Sequence, residues 1–256
     1  MKNRIIYEQP LNELIRVCLR LEQLFIQVDY HIKQSSKLAT RQVMTLIIQL
    51  LQLLDRPDLK PKLAKELSHQ ATLLERLANE PEVDSEKLES YLRQLNELSR
   101  CFIDSSKKIG SPLRQIEILN SLRLQLANPG GGCSFDVPLY HYWLQQPEKT
   151  RQQTLKTWLV EFDSIRTASS LILQLVRENG RSEQISAEHG FYQTLLNPQI
   201  NLRLVRVAIP EHISAYPEIS IGRHFLSVRF FSPSIENRPT QYVEHLAFLL
   251  THCNAE

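Results

Sequence analysis

Three consecutive glycines at positions 130–132 stand directly before Cys133 in a chain that contains only 7 glycines. A phosphate-binding loop needs a lysine and a hydroxyl residue after its last glycine, but no basic residue follows Gly132 before His141. A dinucleotide-binding turn follows a strand, whereas this run follows a predicted helix. We therefore interpret the run as a tight turn between two helices, in which glycines adopt positive φ and let two backbones approach. Asp136 is then expected to cap the next helix.

Cysteine and histidine residues are the other candidates for catalysis. Cys133 near a helix start could be an activated thiol, which leaves a thiol-dependent enzyme as one alternative function. The sequence supplies no orienting partner for it, because His141 lies one or two turns away on the following helix. The 8 histidines show no HxxxH or HExxH spacing and no carboxylate cluster beside them. We therefore predict no metal site, no cofactor and no enzymatic activity.

Arginines on the polar face of the first predicted helix point to recognition of an acidic partner. Arg16 and Arg20 lie one turn apart, a like-charge pair that costs a helix about 0.2–0.5 kcal/mol. Glu13 can offset Arg16, but Arg20 has no acidic neighbour four residues away. Because arginine presents a planar fork to carboxylates, this face is a candidate docking site for an acidic peptide. A solvated polar face is the alternative interpretation.

A second group of residues could complete such a groove. Arg114 and Arg123 fall on the fifth predicted helix, and the aromatic cluster Tyr140-His141-Tyr142-Trp143 follows the glycine run. Aromatic side chains beside arginine are typical anchors of a protein interface. We therefore predict Arg114, Arg123, His141 and Trp143 as further partner-binding residues.

Nucleic-acid binding is the other alternative function. The net charge of +2 excludes a generally basic protein, so such binding would need a local basic cluster. Four arginines on the predicted strands could supply one, although we expect them to face solvent as ordinary strand residues: Arg203, Arg206, Arg223 and Arg229.

Hydrophobic periodicity predicts helices up to Gly180. Asn12 can cap the first, whose apolar seam consists of Leu14, Cys18, Leu21, Phe25, Val28 and Ile32. The others are predicted from Thr40 to Leu54, from Asp58 or Lys60 through Leu77 to a stop before Pro81, from Asp84 or Ser85 through Phe102, from Ser111 and Pro112 to Asn128, from Pro147 through Phe162, and from Ile165 to Arg177, closed by a left-handed stop at Asn179 and Gly180.

After Gly180 the period changes from 3.6 to 2, which is typical of strands. "NLRLVRVAI", "RHFLSVRFF" and "QYVEHLAFLL" alternate in this way, with Pro210, Pro217, Pro233 and Pro239 expected in turns. The opening "RIIYE" is also strand-like and needs a partner, so we expect it to join the C-terminal sheet. The fold class is therefore α+β: a mostly helical domain, 10–183, and a small antiparallel β-sheet domain formed from both chain ends, 1–9 and 184–256.

Apolar segments and cysteines indicate the compartment. The most apolar segment, residues 43–54, is shorter than the roughly 20 residues of a membrane span, and the first residues do not resemble a signal peptide. The 4 cysteines are scattered without a CxxC pair, which fits reduced thiols. We therefore predict a cytoplasmic protein without membrane contact. The apolar arc of residues 43–54 is also one candidate for a dimer surface.

Two longer stretches resemble a known family. "YEQPLNELIRVCLRLEQL" (residues 7–24) and "PGGGCSFDVPLYHYWL" (residues 129–144) are similar to signature stretches of the ZapD family of bacterial cell division proteins, and "RHFLSVRF" fits as well. The resemblance covers essentially the whole chain. It implies a dimeric, non-enzymatic cytoplasmic factor at the mid-cell Z-ring.

The same resemblance implies the partner and the site. Family members bind the C-terminal tail of FtsZ, cross-link and bundle its protofilaments, promote Z-ring assembly and reduce its GTPase activity. By motif, Arg20 and His141 match the basic pocket expected to take the tail. A third basic position of the family falls near Glu117, where this chain is acidic; Arg114 could substitute, and Glu117 could pair with Arg114.

Overall fold

The computed structural model describes residues 3–76, 84–197, 199 and 201–254. Their contacts divide them into two compact units. The helical unit is Val17–Ile172, and the sheet unit combines the described residues of Met1–Arg16 and Leu173–Glu256. The α+β fold class, with a sheet that uses both chain ends, is confirmed. The borders between these two units lie within two helices. The predicted domain boundaries, 10–183 against 1–9 and 184–256, stay a prediction.

The helices begin largely where polar caps predict. Asn12 Oδ1 accepts the amide of Ile15 at 2.8 Å, and Asp84 Oδ1 accepts that of Lys87 at 3.1 Å. The helices are α1 (Glu13–His31), α2 (Lys37–Leu53), α3 (Leu59–Arg76), α4 (Ser85–Asp104), α5 (Glu117–Gln125), α6 (Pro138–Leu144), α7 (Glu148–Leu159) and α8 (Asp163–Glu178).

Several helix boundaries differ from the prediction. α5 ends at Gln125 rather than at Asn128, and α7 ends at Leu159 and is followed by a separate 3₁₀ helix, Val160–Phe162. α2 begins before Thr40 because Ser36 Oγ accepts the amide of Ala39 at 3.0 Å and caps the helix earlier. Pro112 does not begin α5; it precedes the short 3₁₀ helix Leu113–Gln115, and α5 starts at Glu117. The predicted end of α3, from Leu77 to Pro81, lies outside the described residues.

α2 lies at the centre of the helical unit. Its apolar arc is wide, and Val43, Met44, Leu46, Ile47 and Leu50 are all 0% exposed. The prediction that this arc is buried on two sides is therefore confirmed. The same burial shows that the arc as a candidate dimer surface was wrong, because the helical unit itself covers it.

The sheet unit contains two antiparallel four-stranded sheets. The first has the order β1 (Arg4–Pro10), β4 (Leu202–Pro210), β8 (Leu246–Asn254) and β2 (Gly180–Ala187). The second has β3 (Phe191–Leu195), β6 (Phe225–Ser232) and β5 (Tyr216–Ile221), with β7 (Thr240–Gln241) also paired to β6. The N-terminal strand pairs with β4, as expected. Their core includes Val205, Val207, Ile209, Leu226, Val228, Phe230, Leu246, Phe248 and Leu250.

Three residues of this unit were assigned wrongly from the sequence. Pro210, expected in a turn, is the last residue of β4 and pairs with Arg4. Pro217 lies inside the edge strand β5, opposite Phe230, where a missing N–H is tolerated. Gly180 is not a left-handed stop, since it lacks positive φ and begins β2 directly after α8. It is glycine because a Cβ there would lie 2.6 Å from Thr251 Cγ2.

A carboxylate on β1 links three elements of the sheet unit. Glu8 accepts hydrogen bonds from Arg177 at 2.9 and 2.6 Å, and it lies 2.9 Å from Nε of Arg206. The side chain of Glu8 is only 17% exposed, so these pairs are better shielded than surface ion pairs. Glu8 therefore holds the N-terminal strand to β4 and to the end of α8.

Replacing Glu8 by glutamine should destabilise the sheet unit by about 2 kcal/mol, because two half-buried guanidinium groups lose their counter-charge. Urea denaturation of Glu8→Gln and of the control Glu218→Gln, on an exposed position of β5, measures the effect. Equal free energies of unfolding for the two variants would show that the Glu8 pairs contribute nothing.

Candidate functional site

Two predicted binding residues line one cleft in the helical unit. This α2–α5 cleft has a volume of about 390 Å³, and it is lined by Ile48, Leu51, Gln52, Asp55, Lys108, Arg114, Leu119, Asn120 and Arg123. Its apolar side chains come from α2 and α5, whereas Lys108 and Arg114 come from the segment between α4 and α5. The cleft thus combines three cations, one carboxylate and an apolar surface, a composition that suits an acidic peptide.

Arg114 is held in place by backbone and side-chain partners. Its guanidinium NH2 donates to the carbonyl of Leu51 at 2.8 Å, and its NH1 lies 3.6 Å from Asp55 Oδ1. The carbonyl of Arg114 accepts from the side-chain amide of Asn120 at 2.8 Å. Since only 23% of the Arg114 side chain is exposed, this cation is fixed at one wall of the cleft.

Lys108 is the cation that the sequence did not single out. Its Nζ donates to Asp55 Oδ1 at 3.0 Å. The hydrogen bond from Lys108, followed by the charge of Arg114, holds the pKa of Asp55 below its usual value. In the sequence, Lys108 is marked only by its position three residues before the Ser111–Pro112 pair. That position does not show that Lys108 would meet the residues at the end of α2.

Arg123 is the third cation of the cleft. It is exposed near the end of α5, and it makes no hydrogen bond or ion pair with any other described residue. Glu117, about one and a half helix turns earlier, makes no ion pair with Arg123, and its carboxylate accepts a hydrogen bond from the hydroxyl of Ser121 at 2.7 Å. The suggested pairing of Glu117 with Arg114 was therefore wrong: Arg114 pairs with Asp55.

The basic face of α1 has the charge distribution that the sequence predicted. Arg16 pairs with Glu13 at 2.6 Å, which offsets one of the two like charges. Arg20 is exposed, and within the described residues it has no hydrogen bond or ion pair. Arg20 is therefore a cation available to a partner.

The aromatic cluster of α6 divides into packed and exposed side chains. Trp143 stacks between Tyr140 and Trp158, with ring centroids 6.3 and 6.1 Å apart. Burial raises the pKa of Tyr140, although neighbouring Arg41 lowers it. His141 and Tyr142 are exposed. Trp143 thus packs within the chain on both faces, whereas His141 is accessible.

The glycine run forms the predicted turn between α5 and α6. Gly130 and Gly132 have φ of 72° and 85°, and a Cβ on Gly131 would lie 1.9 Å from the carbonyl oxygen of Gln125. Arg41 NH2 donates to the carbonyl of Gly132 at 3.0 Å, which fastens the turn to α2. The scaffold interpretation is confirmed.

Asp136 has a different role from the one predicted. Its Oδ2 accepts the amides of Gly132 and Cys133 at 3.1 and 3.0 Å, so it stabilises the turn. The residue before α6 is Val137, which provides no side-chain cap. The expectation that Asp136 caps α6 was wrong.

The structure brings some of the predicted residues together and leaves others on separate helices. Arg114 and Arg123 share the α2–α5 cleft. Arg16 and Arg20 lie on α1, and His141 and Trp143 lie on α6. A common groove for Arg20 and His141 stays a prediction.

The geometry gives little support to the two alternative functions, a thiol-dependent enzyme and a nucleic-acid-binding protein. The thiol of Cys133 donates to the carbonyl of Gly130 at 3.2 Å. Arg203 is buried, at 7% exposure, so the expectation that it faces solvent was wrong, and Arg206 pairs with Glu8. Arg229 lies over the ring of Phe191.

Three further features are stated for the described residues alone. No three His, Cys, Asp or Glu side chains among them are placed to share a metal ion. None of their helices has the length and apolarity needed to cross a membrane. All 4 cysteines are free.

The chain is similar to proteins of one family over nearly its whole length. Residues 19–229 match the family model described as "ZapD: Cell division protein". A "Cell division protein ZapD" from Coxiella burnetii (strain RSA 331 / Henzerling II) is 39% identical over 251 residues, which cover 97% of each chain. One from Azoarcus sp. (strain BH72) is 35% identical over 249 residues, covering 97% of this chain and 99% of the relative.

A methyl group at Gly131 should destabilise the helical unit more than one at Gly130. Gly131→Ala forces a Cβ against a backbone carbonyl and should cost about 2–3 kcal/mol. Gly130→Ala meets no neighbouring atom and should cost only about 1 kcal/mol, from its left-handed backbone. Urea denaturation of both variants tests this order, and a larger loss for Gly130→Ala would contradict it.

Proposed function

This chain belongs to the ZapD family of cell division proteins, and we propose that it binds FtsZ through the C-terminal tail of that protein. In this proposal the protein cross-links and bundles FtsZ protofilaments, promotes Z-ring assembly and reduces FtsZ GTPase activity. It works in the cytoplasm at the mid-cell division site. The resemblance of the two signature stretches supports each of these points.

The single observation that carries the proposal is the α2–α5 cleft. Lys108, Arg114 and Arg123 surround one carboxylate, Asp55, which leaves the cleft with an excess of positive charge. Carboxylates of a peptide can pair with these cations while an aliphatic side chain packs on Leu51 and its apolar neighbours. An acidic peptide with interspersed apolar residues is the ligand that this arrangement fits.

Other exposed side chains extend the proposed contact. Arg20 and His141, which match the family's basic pocket, are exposed and have no partner among the described side chains. Arg16 shares the α1 face with Arg20, and Trp143 supports the helix that carries His141. We include all four in the proposed tail-binding surface.

Bundling requires more than one site in each particle. We propose a homodimer, because a two-fold pair carries two identical clefts. Each cleft can bind weakly, since a polymer presents many tails and the second contact forms at high effective concentration. Bundled protofilaments exchange subunits less freely, which accounts for the proposed fall in GTPase activity.

We propose that the protein has no catalytic role and no nucleic-acid partner. The description of the family as cell division proteins supports the first point. The burial of Arg203 and the pairing of Arg206 support the second, because they remove two of the four arginines from a shared basic face.

Reversing the charge of Arg123 should weaken co-sedimentation with FtsZ polymers at least tenfold, because an acidic tail would meet a carboxylate in the cleft. The control is Arg93→Glu, the same change on an exposed position of α4 outside the cleft. Pelleting with intact FtsZ and with FtsZ lacking its tail measures both. The proposal fails if Arg123→Glu pellets with intact polymer as wild type does.

Arg20→Glu should fold normally and lose co-sedimentation with FtsZ, because Arg20 is exposed and makes no intramolecular pair among described residues. Thermal melting checks the fold, and pelleting plus electron microscopy checks binding and bundling. Bundles of wild-type abundance would exclude the α1 face from the site and leave the cleft unaffected.

A further inference from the structure

We propose that Asp55 is an internal competitor for the ligand of the α2–α5 cleft: it occupies Lys108 in the free protein and is displaced by a ligand carboxylate. The inference rests on the proposed function, in which the cleft takes an acidic peptide. It concerns Asp55 and Lys108, neither of which the sequence marked as functional.

The position of Asp55 makes it a competitor. It follows α2 directly, two residues after the helix ends, and its carboxylate lies among the cations of the cleft. Oδ1 lies 3.0 Å from Nζ of Lys108 and 3.6 Å from NH1 of Arg114. A peptide carboxylate that approaches Lys108 from within the cleft therefore competes with this oxygen for the ammonium group.

The Asp55–Lys108 pair is suited to exchange. Both side chains are well exposed, Asp55 by 46% and Lys108 by 62%. Exposed ion pairs are weak because water screens the charges and both side chains lose freedom on pairing. Displacement of Asp55 by a ligand carboxylate therefore costs little, and Asp55 returns to water.

Arg114 does not depend on Asp55 for its position. Its NH2 donates to the Leu51 carbonyl at 2.8 Å, and that carbonyl belongs to a buried helix. Its contact with Asp55 is longer, at 3.6 Å. Removal of the Asp55 charge should therefore release Lys108 and leave Arg114 in place, so the cleft gains one available cation.

An internal carboxylate also selects among ligands. A single anion that replaces Asp55 at Lys108 gains one ion pair, but the Asp55–Lys108 ion pair is lost. A peptide whose carboxylates reach Lys108 and Arg123 together also gains a direct ion pair with Arg123, which Asp55 does not make. Asp55 thus lowers the affinity for single anions more than the affinity for acidic peptides. Such a difference between two affinities is what makes a site specific.

Asp55→Asn should bind the FtsZ C-terminal tail peptide about fivefold more tightly than wild type, because it keeps the side-chain shape and frees Lys108. Fluorescence anisotropy with a labelled tail peptide measures the dissociation constant at low and at high salt, and the gain should shrink as salt screens the charges. The matched control is Asp58→Asn, which removes a carboxylate of similar exposure that pairs with Lys62 at 2.5 Å outside the cleft. It should not change the affinity.

Lys108→Ala tests whether Asp55 acts through Lys108. In the wild-type background this change should weaken binding, because the Asp55 carboxylate then faces the ligand without its partner. When Lys108→Ala is present, the gain in affinity that results from Asp55→Asn should fall from fivefold to about twofold. A purely structural role for Asp55 predicts no such dependence, and thermal melting of each variant confirms that it is folded.

The outcomes separate this inference from the proposed function. If Arg123→Glu abolishes peptide binding while Asp55→Asn weakens it or matches Asp58→Asn, the competitor role is overturned and the cleft keeps its function. If Arg123→Glu leaves peptide binding intact, the cleft is not the binding site and both proposals fall. A gain in Asp55→Asn that requires Lys108 supports the competitor role.

Discussion

The burial of α2 is the constraint on which the candidate site depends. Its apolar side chains are covered on two sides, so its backbone is fixed at the centre of the helical unit. The carbonyl of Leu51 then positions Arg114, and Arg41 on the same helix holds the carbonyl of Gly132 in the glycine turn. One packed helix therefore places both the cationic cleft near its end and the turn that leads into α6. Sites supported by rigid elements hold their geometry well.

The three cations of the cleft are held in three different ways. Arg114 is fixed by a backbone carbonyl, Lys108 is paired with an exposed carboxylate, and Arg123 has no partner within the described residues. In the proposed site, the fixed Arg114 orients the ligand, the exchangeable Lys108 provides selectivity, and Arg123 supplies attraction at a distance. This combination is typical of recognition of a charged peptide. The thiol of Cys133, in contrast, donates a hydrogen bond to a backbone carbonyl.

The cleft cations belong to a chain of the ZapD family and can be compared with the basic positions that the resemblance implies. Glu117, near which the resemblance to that family implies a third basic position, accepts a hydrogen bond from Ser121 and does not pair with Arg114. In the proposed site, Arg114 and Lys108 supply positive charge from the segment that precedes α5. The proposed bivalent particle needs only modest affinity at each cleft, which is consistent with a small site that water and salt can reach.

The sequence by itself determined the α+β class, the helix caps at Asn12 and Asp84 and the glycine turn, because periodicity, caps and positive-φ glycines act over a few residues. It also led to predicted cationic binding residues, which stay a prediction. It did not indicate the Lys108–Asp55 pair, which joins side chains 53 positions apart in the chain, or the role of Asp136. Only the tertiary structure decided these, because the packing of α2 against its neighbours sets which distant charges meet, and no local pattern encodes that distance.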